Sequence, residues 1–397
     1  MLIADARDPA AWDAFLNAQQ FRPFLQSWTM GEVYRDTHQE PIRLEAREGE
    51  SIIGICQAIL VPARRGRHLS VPYGPLVSSR EALDAIVARL KEIAREKRCT
   101  FIRMSPFWAQ RAPFGPRSES YEISDAIPSP LHLLAEHLWY LPLRTPNFWN
   151  EQTSPLPEGE GLGVRASEDK KNEYEDSAKH REISTPRSEE EIFKQMRSTA
   201  RNLIRRAEKD GVTIQISQDP VRDLPQFLTL HDETRKRHGF TPYTDAFFRA
   251  QVAHFAPRNE PARSERDRSG GCTLYLARYQ GETVAASIHM HMGGETSYHH
   301  GASAEKWKKI PASYLLQWTA IQDALKRGDH IYNFWGIAPQ TNNQKPITNH
   351  PFAGVTLFKT GFGGELLNLV HCFDLPLTPS YKLTRAFENL RKWKRGF

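Results

Sequence analysis

Residues 273–300 read TLYLARYQGETVAASIHMHMGGETSYHH, and their spacing decides the kind of fold this chain adopts. Three strand-like runs, 273–277, 283–292 and 296–300, are joined by turns at Gln280-Gly281 and Gly293-Gly294. Short separators that contain glycine close β-hairpins, because the tight turn needs backbone conformations with positive φ. The three runs therefore form an antiparallel meander. A helix is predicted before it at 224–237, and a helix over 312–326 with a strand at 330–335 after it. On the 312–326 helix, Tyr314, Trp318, Ile321 and Leu325 lie on one stripe at helical spacing, the pattern of core packing.

The first third of the chain repeats the order. A helix at 10–18 precedes strands 42–47 and 52–61, then a helix at 81–97 and a strand at 100–104. Helix, antiparallel strands, helix and strand twice over argue for a duplicated α+β unit. The length of 397 residues agrees, being too great for one ordinary core and suited to two domains. Segments 151–187 and 256–271 are polar and rich in charge, and cannot bury enough apolar surface to offset their ordering entropy. The expected division is a first domain at 1–148 joined by a C-terminal helix at 378–397, a disordered insertion at 149–190, and a second domain at 191–377 with a mobile loop at 256–271.

A net charge of +6 favours anionic partners such as nucleic acid, phosphorylated substrates or acidic lipid heads, without choosing among them. The four cysteines, Cys56, Cys99, Cys272 and Cys372, are far apart and form no C-x-x-C pair, so neither a disulfide framework nor a structural zinc site is indicated and a reducing cytoplasm fits. The start of the chain carries early acids and no apolar run of signal length, and no segment reaches the ~18 apolar residues needed to span a bilayer. Membrane contact is therefore expected to be peripheral.

The segment 354–365, GVTLFKTGFGGE, places Lys359 between Phe358 and Phe362 and then gives up side chains for glycine. It reads either as a tight strand connection with a solvated lysine or as a bend that holds a cation beside a polarised carbonyl or phosphate. Residues 191–209 read as one helix whose cationic face carries Lys194, Arg197, Arg201, Arg205, Arg206 and Lys209, either a solvated face or a surface that tracks a phosphate backbone. Residues 381–397 set Leu383, Phe387, Leu390 and Trp393 against Lys382, Arg385, Arg391, Lys392 and Arg395. That end either packs on a domain or rests on an anionic membrane surface. No nucleophile with its base is recognisable. His289, His291, His299 and His300 cluster near the second hairpin, but only Glu295 accompanies them, so they read as strand histidines with no metal site.

Taken together these segments resemble the Fem family (FemA/FemB/FemX-like) of peptidoglycan-bridge aminoacyltransferases. The residues that carry the likeness are Phe24-Leu25-Gln26-Ser27-Trp28 with Gly31-Glu32, Arg201-Asn202, Ala207-Glu208-Lys209 and Gly211-Val212. They continue with His300-Gly301-Ala302-Ser303, Tyr314 to Trp318, Gly336-Ile337, Phe358-Lys359 with Gly361-Phe362-Gly363-Gly364-Glu365, and Phe373-Asp374-Leu375-Pro376-Leu377. The resemblance implies two tandem GNAT-like (acyl-CoA N-acyltransferase-like) domains that use no acyl-CoA, with the final helix packing back on the first domain. It implies transfer of an amino acid from aminoacyl-tRNA, the co-substrate in place of any cofactor, to a stem-peptide amine of a lipid-linked or UDP-linked peptidoglycan precursor. The expected setting is cytoplasmic, with peripheral contact at the inner membrane face and no DNA partner.

The resemblance assigns catalysis to Lys359 and its neighbour Phe358. Substrate contact falls to Trp28, Tyr34, Arg35, Arg103, Ser105, Tyr243, Tyr298 and His300, and tRNA contact to Arg197, Arg201, Arg205 and Arg206. The sequence departs from the family pattern at several of these. Tyr34 and Arg35 stand where a lysine often follows Trp28 and Gly31, and Tyr243 and Phe247 where an arginine and a tyrosine often stand. Arg103-Met104-Ser105-Pro106 lacks an aspartate before the proline, and His300 replaces a tyrosine before Gly301. These changes open the acceptor to other cell-envelope amines. An ordinary acyl-CoA donor and a non-catalytic binding protein on the same fold are the alternatives.

Overall fold

The computed structural model describes residues 1–63, 66–110, 123–145, 185–238, 243–256, 270–340 and 350–395. In chain order the first elements are β1 (Leu2–Asp5), α1 (Pro9–Ala18), α2 (Trp28–Asp36), β2 (Pro41–Glu48), β3 (Ser51–Val61), β4 (His68–Pro72) and β5 (Leu76–Val77). They continue with α3 (Arg80–Glu96), β6 (Phe101–Ser105), β7 (Ile127–Pro128), β8 (His137–Pro142) and the two-strand ribbon β9 (Arg144–Thr145) and β10 (Thr185–Pro186). The second half holds α4 (Glu189–Gln195), α5 (Ser198–Lys209), β11 (Thr213–Ile216), α6 (Pro220–His238), α7 (Asp245–Phe255), β12 (Gly271–Tyr279), β13 (Glu282–Met292) and β14 (Glu295–Ser303). It ends with α8 (Ala312–Lys326), β15 (Ile331–Gly336), α9 (Ala353–Thr360), β16 (Glu365–Asn368), β17 (Phe373–Pro376) and α10 (Tyr381–Arg395).

Two mixed sheets carry the fold. The first runs β1-β2-β3-β4-β6-β17-β7 with β5 also on β3, and the second runs β11-β12-β13-β14-β15-β8-β16. Each sheet takes a strand from the far side of the chain: β8 enters the second sheet between β15 and β16, and β17 returns to the first between β6 and β7. The linear division at residue 148 therefore does not match the sheets, because strand pairing ignores sequence distance once the edges face one another.

Local chemistry explains where helices start. The Asp8 carboxylate accepts from the Ala10 and Ala11 amides, with Pro9 at the first turn of α1. Ser27 caps α2 and Ser79 caps α3 in the same way. The buried stripe of α3, including Leu83, Ile86, Leu90 and Ile93, packs on Leu44, Cys56, Leu69, Ile102 and Met104 of the first sheet. Each such fully buried aliphatic contributes roughly 1.5–3 kcal/mol. In the second half α8 buries Trp318 and Ile321 with Tyr332 and Phe334 of β15.

The helix expected over 191–209 is two. A Ser188–Glu191 capping box starts α4, and the chain then turns extended at Met196 and Arg197 before α5 begins. Arg201 bridges the break, donating from Nη1 to the carbonyls of Lys194 (2.6 Å) and Met196 (3.1 Å). Of the insertion expected at 149–190, residues up to 184 lie outside the described residues. Its end is structured: β10 pairs with β9, and buried Arg187 donates to the Pro142 carbonyl at 3.0 Å. Of the loop expected at 256–271, residues 257–269 lie outside the described residues.

The two halves share one continuous apolar cluster that includes Trp12, Phe24 and Tyr73 from the first and Phe227, Phe248 and Phe255 from the second. Helices α2 and α7 meet there, with His254 Nε2 at 2.8 Å from the Asp36 carboxylate. Helix α10 lies on the first domain through Arg103, which joins Asp374 of β17 to Glu388 of α10. All four cysteines are buried and free.

Candidate active site

The site follows from a difference between the two parallel strand pairs. In the first sheet β4 and β6 stay paired over all of His68–Pro72 and Phe101–Ser105. In the second, β14 and β15 pair only at Glu295, Thr296 and Ser297 with Ile331, Tyr332 and Asn333. Both strands continue beyond that point, so the sheet opens. Its closed end is pinned by Asn333 Nδ2, which donates to Glu295 Oε1 (2.8 Å) and to the Tyr140 hydroxyl (3.1 Å).

Irregularities on both strands aim side chains at the opening. On β14 a bulge lies between the pairs His289–Tyr298 and Ile288–His300, which leaves His299 as the extra residue. The bulge brings the His299 and His300 rings to 3.9 Å. On β15 the register with β8 shifts between Asn333 and Gly336, and Trp335 adopts φ +66°. A left-handed tryptophan costs about 1–3 kcal/mol and persists where surrounding contacts over-determine it. Here Trp335 N–H donates to Asn333 Oδ1 at 2.7 Å, and its ring meets His299 at 4.8 Å, Tyr73 at 5.6 Å and Phe24 at 5.7 Å. Phe24 and Tyr73 belong to the first half, so the opening lies at the junction of the two domains.

Lys359 reaches this opening from the last turn of α9. Its Nζ donates to the Gly336 carbonyl at 2.6 Å and lies 5.7 Å from the centre of the Tyr298 ring. The residue is only 6 % exposed, and no carboxylate among the described residues pairs with it. Burial lowers its pKa from 10.5 to about 7. His299 is held neutral, lowered to about 3 by burial and then by the Lys359 charge, and neither of its ring nitrogens has a hydrogen-bond partner among the described residues. His300 Nε2 is likewise unpartnered. Burial raises the Tyr298 hydroxyl to about 12.

The element that delivers Lys359 differs from both sequence readings. Residues 353–360 are helical and the lysine is buried, not a solvated turn residue. Phe358 and Phe362 do not flank the ammonium as a cation–π pair. They pack with Tyr314 and Phe334, at 4.9 Å for Phe358–Tyr314 and 5.3 Å for Phe362–Phe334, and Tyr298 supplies the ring near the charge instead. The glycines make the sharp exit from α9 possible. At Gly364, with φ +111°, a Cβ would lie 2.3 Å from the Tyr140 carbonyl oxygen, so no side chain fits. Trp139 fastens this exit by donating from Nε1 to the Gly363 carbonyl at 2.7 Å.

The other residues assigned from the sequence divide. Tyr298 and His300 line the opening, and Tyr243, 45 % exposed, stands with its ring 5.6 Å from His300 and stacked on Phe247 at 4.3 Å. Trp28, Tyr34 and Arg35 lie on α2. There Tyr34 is buried in the shared core, and Arg35, half-exposed, pairs with Glu32. Trp28 instead stacks under Arg43, whose guanidinium carbon is 3.9 Å from the ring centre. Arg43 went unnoticed in the sequence because it sits in a strand with apolar alternation; it donates to Glu32 (2.6 Å), Gln57 (3.0 Å) and the Trp28 carbonyl (2.9 Å).

Arg103 is a correction. It makes a two-pronged bond to Asp374 (2.7 and 2.8 Å) and another to Glu388 (3.1 and 2.7 Å), and these partners hold its pKa above the ordinary value although burial opposes it. It clamps structure and leaves no fork for a substrate. Ser105, buried at the end of β6, lies in the same sheet. Of the four arginines assigned to tRNA, Arg201 caps α4 and Arg206 bonds Asp210 and the Lys309 carbonyl. Arg197 and Arg205 are exposed, and the Arg197 amide donates to the Gly361 carbonyl at 2.9 Å, which ties this helix to the Lys359 bend.

The strand histidines are used by the fold: His289 Nε2 meets the Tyr332 hydroxyl at 2.7 Å, and His291 sits between Thr273 and Thr296. Among the described residues one group, His132, Glu136 and His371, brings potential metal-ligand atoms within 4.8 Å of one another. Both His371 nitrogens contact acceptors, the Glu136 carboxylate and the Ser129 carbonyl, each at 2.9 Å. Those two contacts favour the protonated ring, and the bond to Glu136 raises its pKa above the ordinary value.

The architecture so defined is that of a protein with two GNAT-like α+β domains and a cationic, aromatic opening at their junction. The FemAB family profile matches residues 8–123, 180–261 and 258–389, and the chain belongs to that family. It is 29 % identical over 99 residues to aminoacyltransferase FemA of Staphylococcus epidermidis, a stretch covering 25 % of this chain and 22 % of that protein. FemA of Staphylococcus aureus matches at 29 % over 98 residues, 24 % of this chain and 22 % of its own length. The chain thus spans about a fifth of the length of these relatives. Among solved structures, FemX superimposes with a TM-score of 0.70 at 15 % identity, over 98 % of this chain and 100 % of that one. L-PGS from Bacillus licheniformis superimposes with a TM-score of 0.51 at 13 % identity, over 98 % and 99 %.

Proposed function

We propose that this protein is a peptidoglycan-bridge aminoacyltransferase that takes its amino acid from aminoacyl-tRNA and joins it to a stem-peptide amine of a lipid-linked or UDP-linked precursor. The observation that carries the reading is Lys359, a buried ammonium with no counter-ion among the described residues, held at the opening of β14 and β15 by one backbone carbonyl. Such a group is arranged for an incoming negative charge, which restores the protonated form that burial disfavours.

An aminoacyl ester is already activated, so no covalent intermediate is required. The acceptor amine attacks the ester carbonyl, a C–N bond forms, and the carbonyl oxygen gains negative charge beside Lys359. Collapse breaks the C–O bond to the tRNA ribose, and the proton lost by the amine ends on the ribose oxygen. His299 and His300, uncharged and with open ring nitrogens, offer acceptors for the amine N–H groups at the same opening. Arg197, whose amide bonds the Gly361 carbonyl beside the Lys359 bend, and the exposed Arg205 provide cations for the tRNA backbone. No helix among the described residues is long and apolar enough to cross a membrane.

An acyl-CoA donor is disfavoured by the segment before α8. There Lys306 and Trp307 both bond Glu282, Lys308 bonds Glu305, and Pro311 stands at the start of the helix, so no glycine loop of free amides faces a pyrophosphate. The deciding experiment supplies purified protein with labelled aminoacyl-tRNA or acetyl-CoA and a panel of precursor peptides. Transfer from the tRNA ester, lost in Lys359→Met, supports the proposal. Transfer from acetyl-CoA alone, or saturable binding without transfer, overturns it.

A further inference from the structure

Helix α10 is fastened along one edge and bare along the other. On the fastened edge the Tyr381 hydroxyl donates to Asp374 at 2.6 Å, Thr384 is buried, Glu388 receives Arg103, and Arg385 donates to the Pro128 carbonyl at 2.7 Å. On the opposite side Leu383 is 76 % exposed, Leu390 49 % and Trp393 78 %. Separations of seven and three residues put these three on one helical stripe. Large apolar side chains grouped on an exposed helix face mark a surface that something else covers.

Charge identifies the cover. Tyr381–Arg395 contains the cations Lys382, Arg385, Arg391, Lys392, Lys394 and Arg395 and one carboxylate, Glu388. Arg103 holds that carboxylate inward, 2.7 Å from its own guanidinium, so the bare side carries basic residues and no acid. Lys382 and Arg391 are exposed on either side of the apolar stripe. A second copy of the chain, docking by the same face about a twofold axis, would set these cations against their own counterparts. A bilayer of anionic lipid accepts both features at once: the leucines and the tryptophan enter the boundary of the acyl region while the basic side chains meet the headgroups.

We infer that α10 is a membrane-surface anchor, seated on anionic phospholipid through Leu383, Leu390 and Trp393 with Lys382 and Arg391 at its margins. The inference stands on this helix alone and not on the transfer reaction. The fixed edge, through Arg103, Asp374 and Tyr381, makes the anchor rigid with the first domain.

The test is co-sedimentation of the full chain with vesicles of phosphatidylcholine, with and without phosphatidylglycerol, across a salt series. Wild type is expected to pellet with the phosphatidylglycerol vesicles and to be released by salt. Leu383→Ser/Leu390→Ser/Trp393→Ser is expected to stay in the supernatant while its Tm is unchanged, because the three side chains touch little of the protein. Lys382→Gln/Arg391→Gln is expected to lose roughly 25-fold in vesicle affinity, each basic residue near an anionic surface contributing about fivefold. No pelleting of wild type, equal pelleting of the triple serine variant, or equal binding to pure phosphatidylcholine overturns the inference. So does dimerisation of wild type in sedimentation velocity that the triple serine variant abolishes, since that result gives the face to a second copy.

Discussion

Replacing Lys359 by methionine is expected to strengthen the fold while removing transfer. The protein holds this ammonium in a site that lowers its pKa from 10.5 to about 7. At 1.36 kcal/mol per pH unit, the charged form is about 5 kcal/mol worse in the folded than in the unfolded chain. At pH 7 half of the folded population is neutral and the penalty is about 4 kcal/mol; at pH 9 it is about 2 kcal/mol. Methionine keeps the stem and removes the charge, but it also removes the bond to the Gly336 carbonyl, worth about 1 kcal/mol. The net gain is therefore about 3 kcal/mol at pH 7 and about 1 kcal/mol at pH 9. The sign follows from proton counting: between pH 7 and 10.5 the unfolded lysine binds more protons than the folded one, so wild-type stability rises with pH across that window. Urea unfolding of both proteins at the two pH values measures the gain, and a transfer assay alongside should show a loss of ~10²–10³-fold, the usual cost of one oxyanion-stabilising group. In wild type, kcat/KM should fall above pH 7 as the ammonium is lost in the free enzyme. A methionine variant that is less stable than wild type at pH 7 would refute the reasoning about burial, and undiminished transfer would refute the role.

Arg103→Leu should cost about 3–5 kcal/mol and loosen α10, because it strands the buried Asp374 and frees Glu388; chemical denaturation and protease cleavage near the C-terminus measure it. Gly301→Ala should lower turnover more than stability, since its Cβ would fall 1.8 Å from the Tyr298 hydroxyl and drive that ring from its place near Lys359; a normal kcat in the alanine variant sinks this expectation. The His371–Glu136 pair should make stability depend on pH in a bounded window. The bond to Glu136 raises His371 above 6.5, so its contribution is complete below 6.5 and disappears as pH rises through the raised value. Glu136, which burial alone would raise, is brought down to about 2 by His132, His371 and the Cys372 amide, so its share is lost only as pH falls from 4.5 toward about 2. The stability gap between wild type and His371→Gln should accordingly be widest near pH ~5.5 and narrow above neutrality. Arg197→Gln/Arg205→Gln should raise KM for aminoacyl-tRNA, leave kcat in place, and flatten the salt dependence of KM.

The meander was legible because its turns are written in glycine: Gln280 at φ +49° and Gly281, Gly293 and Gly294 at positive φ stand where strands β12, β13 and β14 reverse. Helix α8 begins and ends at the expected residues, since its apolar stripe and flanking Pro311 are local signals. Lys359 stood out through the glycines after it. Its bond to the Gly336 carbonyl, and the junction that Tyr73 and Phe24 build around Trp335, did not, because they arise from strand order and domain packing that leave no mark on neighbouring residues. The break at Met196 escaped notice because both helices share an amphipathic pattern, and only the carbonyls capped by Arg201 disclose it. Arg103 looked like a free cation beside a proline, its two acidic partners lying some 270 and 285 residues away.

The exchange of β8 and β17 between the sheets bears on how the molecule is born. During synthesis the first sheet lacks the strand between β6 and β7 until Phe373–Pro376 has left the ribosome, so β6 waits with an open edge while most of the polypeptide is made. Contacts that distant slow the search for the native state and leave exposed edges available to other nascent chains. A fragment ending at residue 148 would carry β8 without its two partners, β15 and β16. Interlacing of this kind also means that the junction carrying Lys359 is complete only in a finished polypeptide.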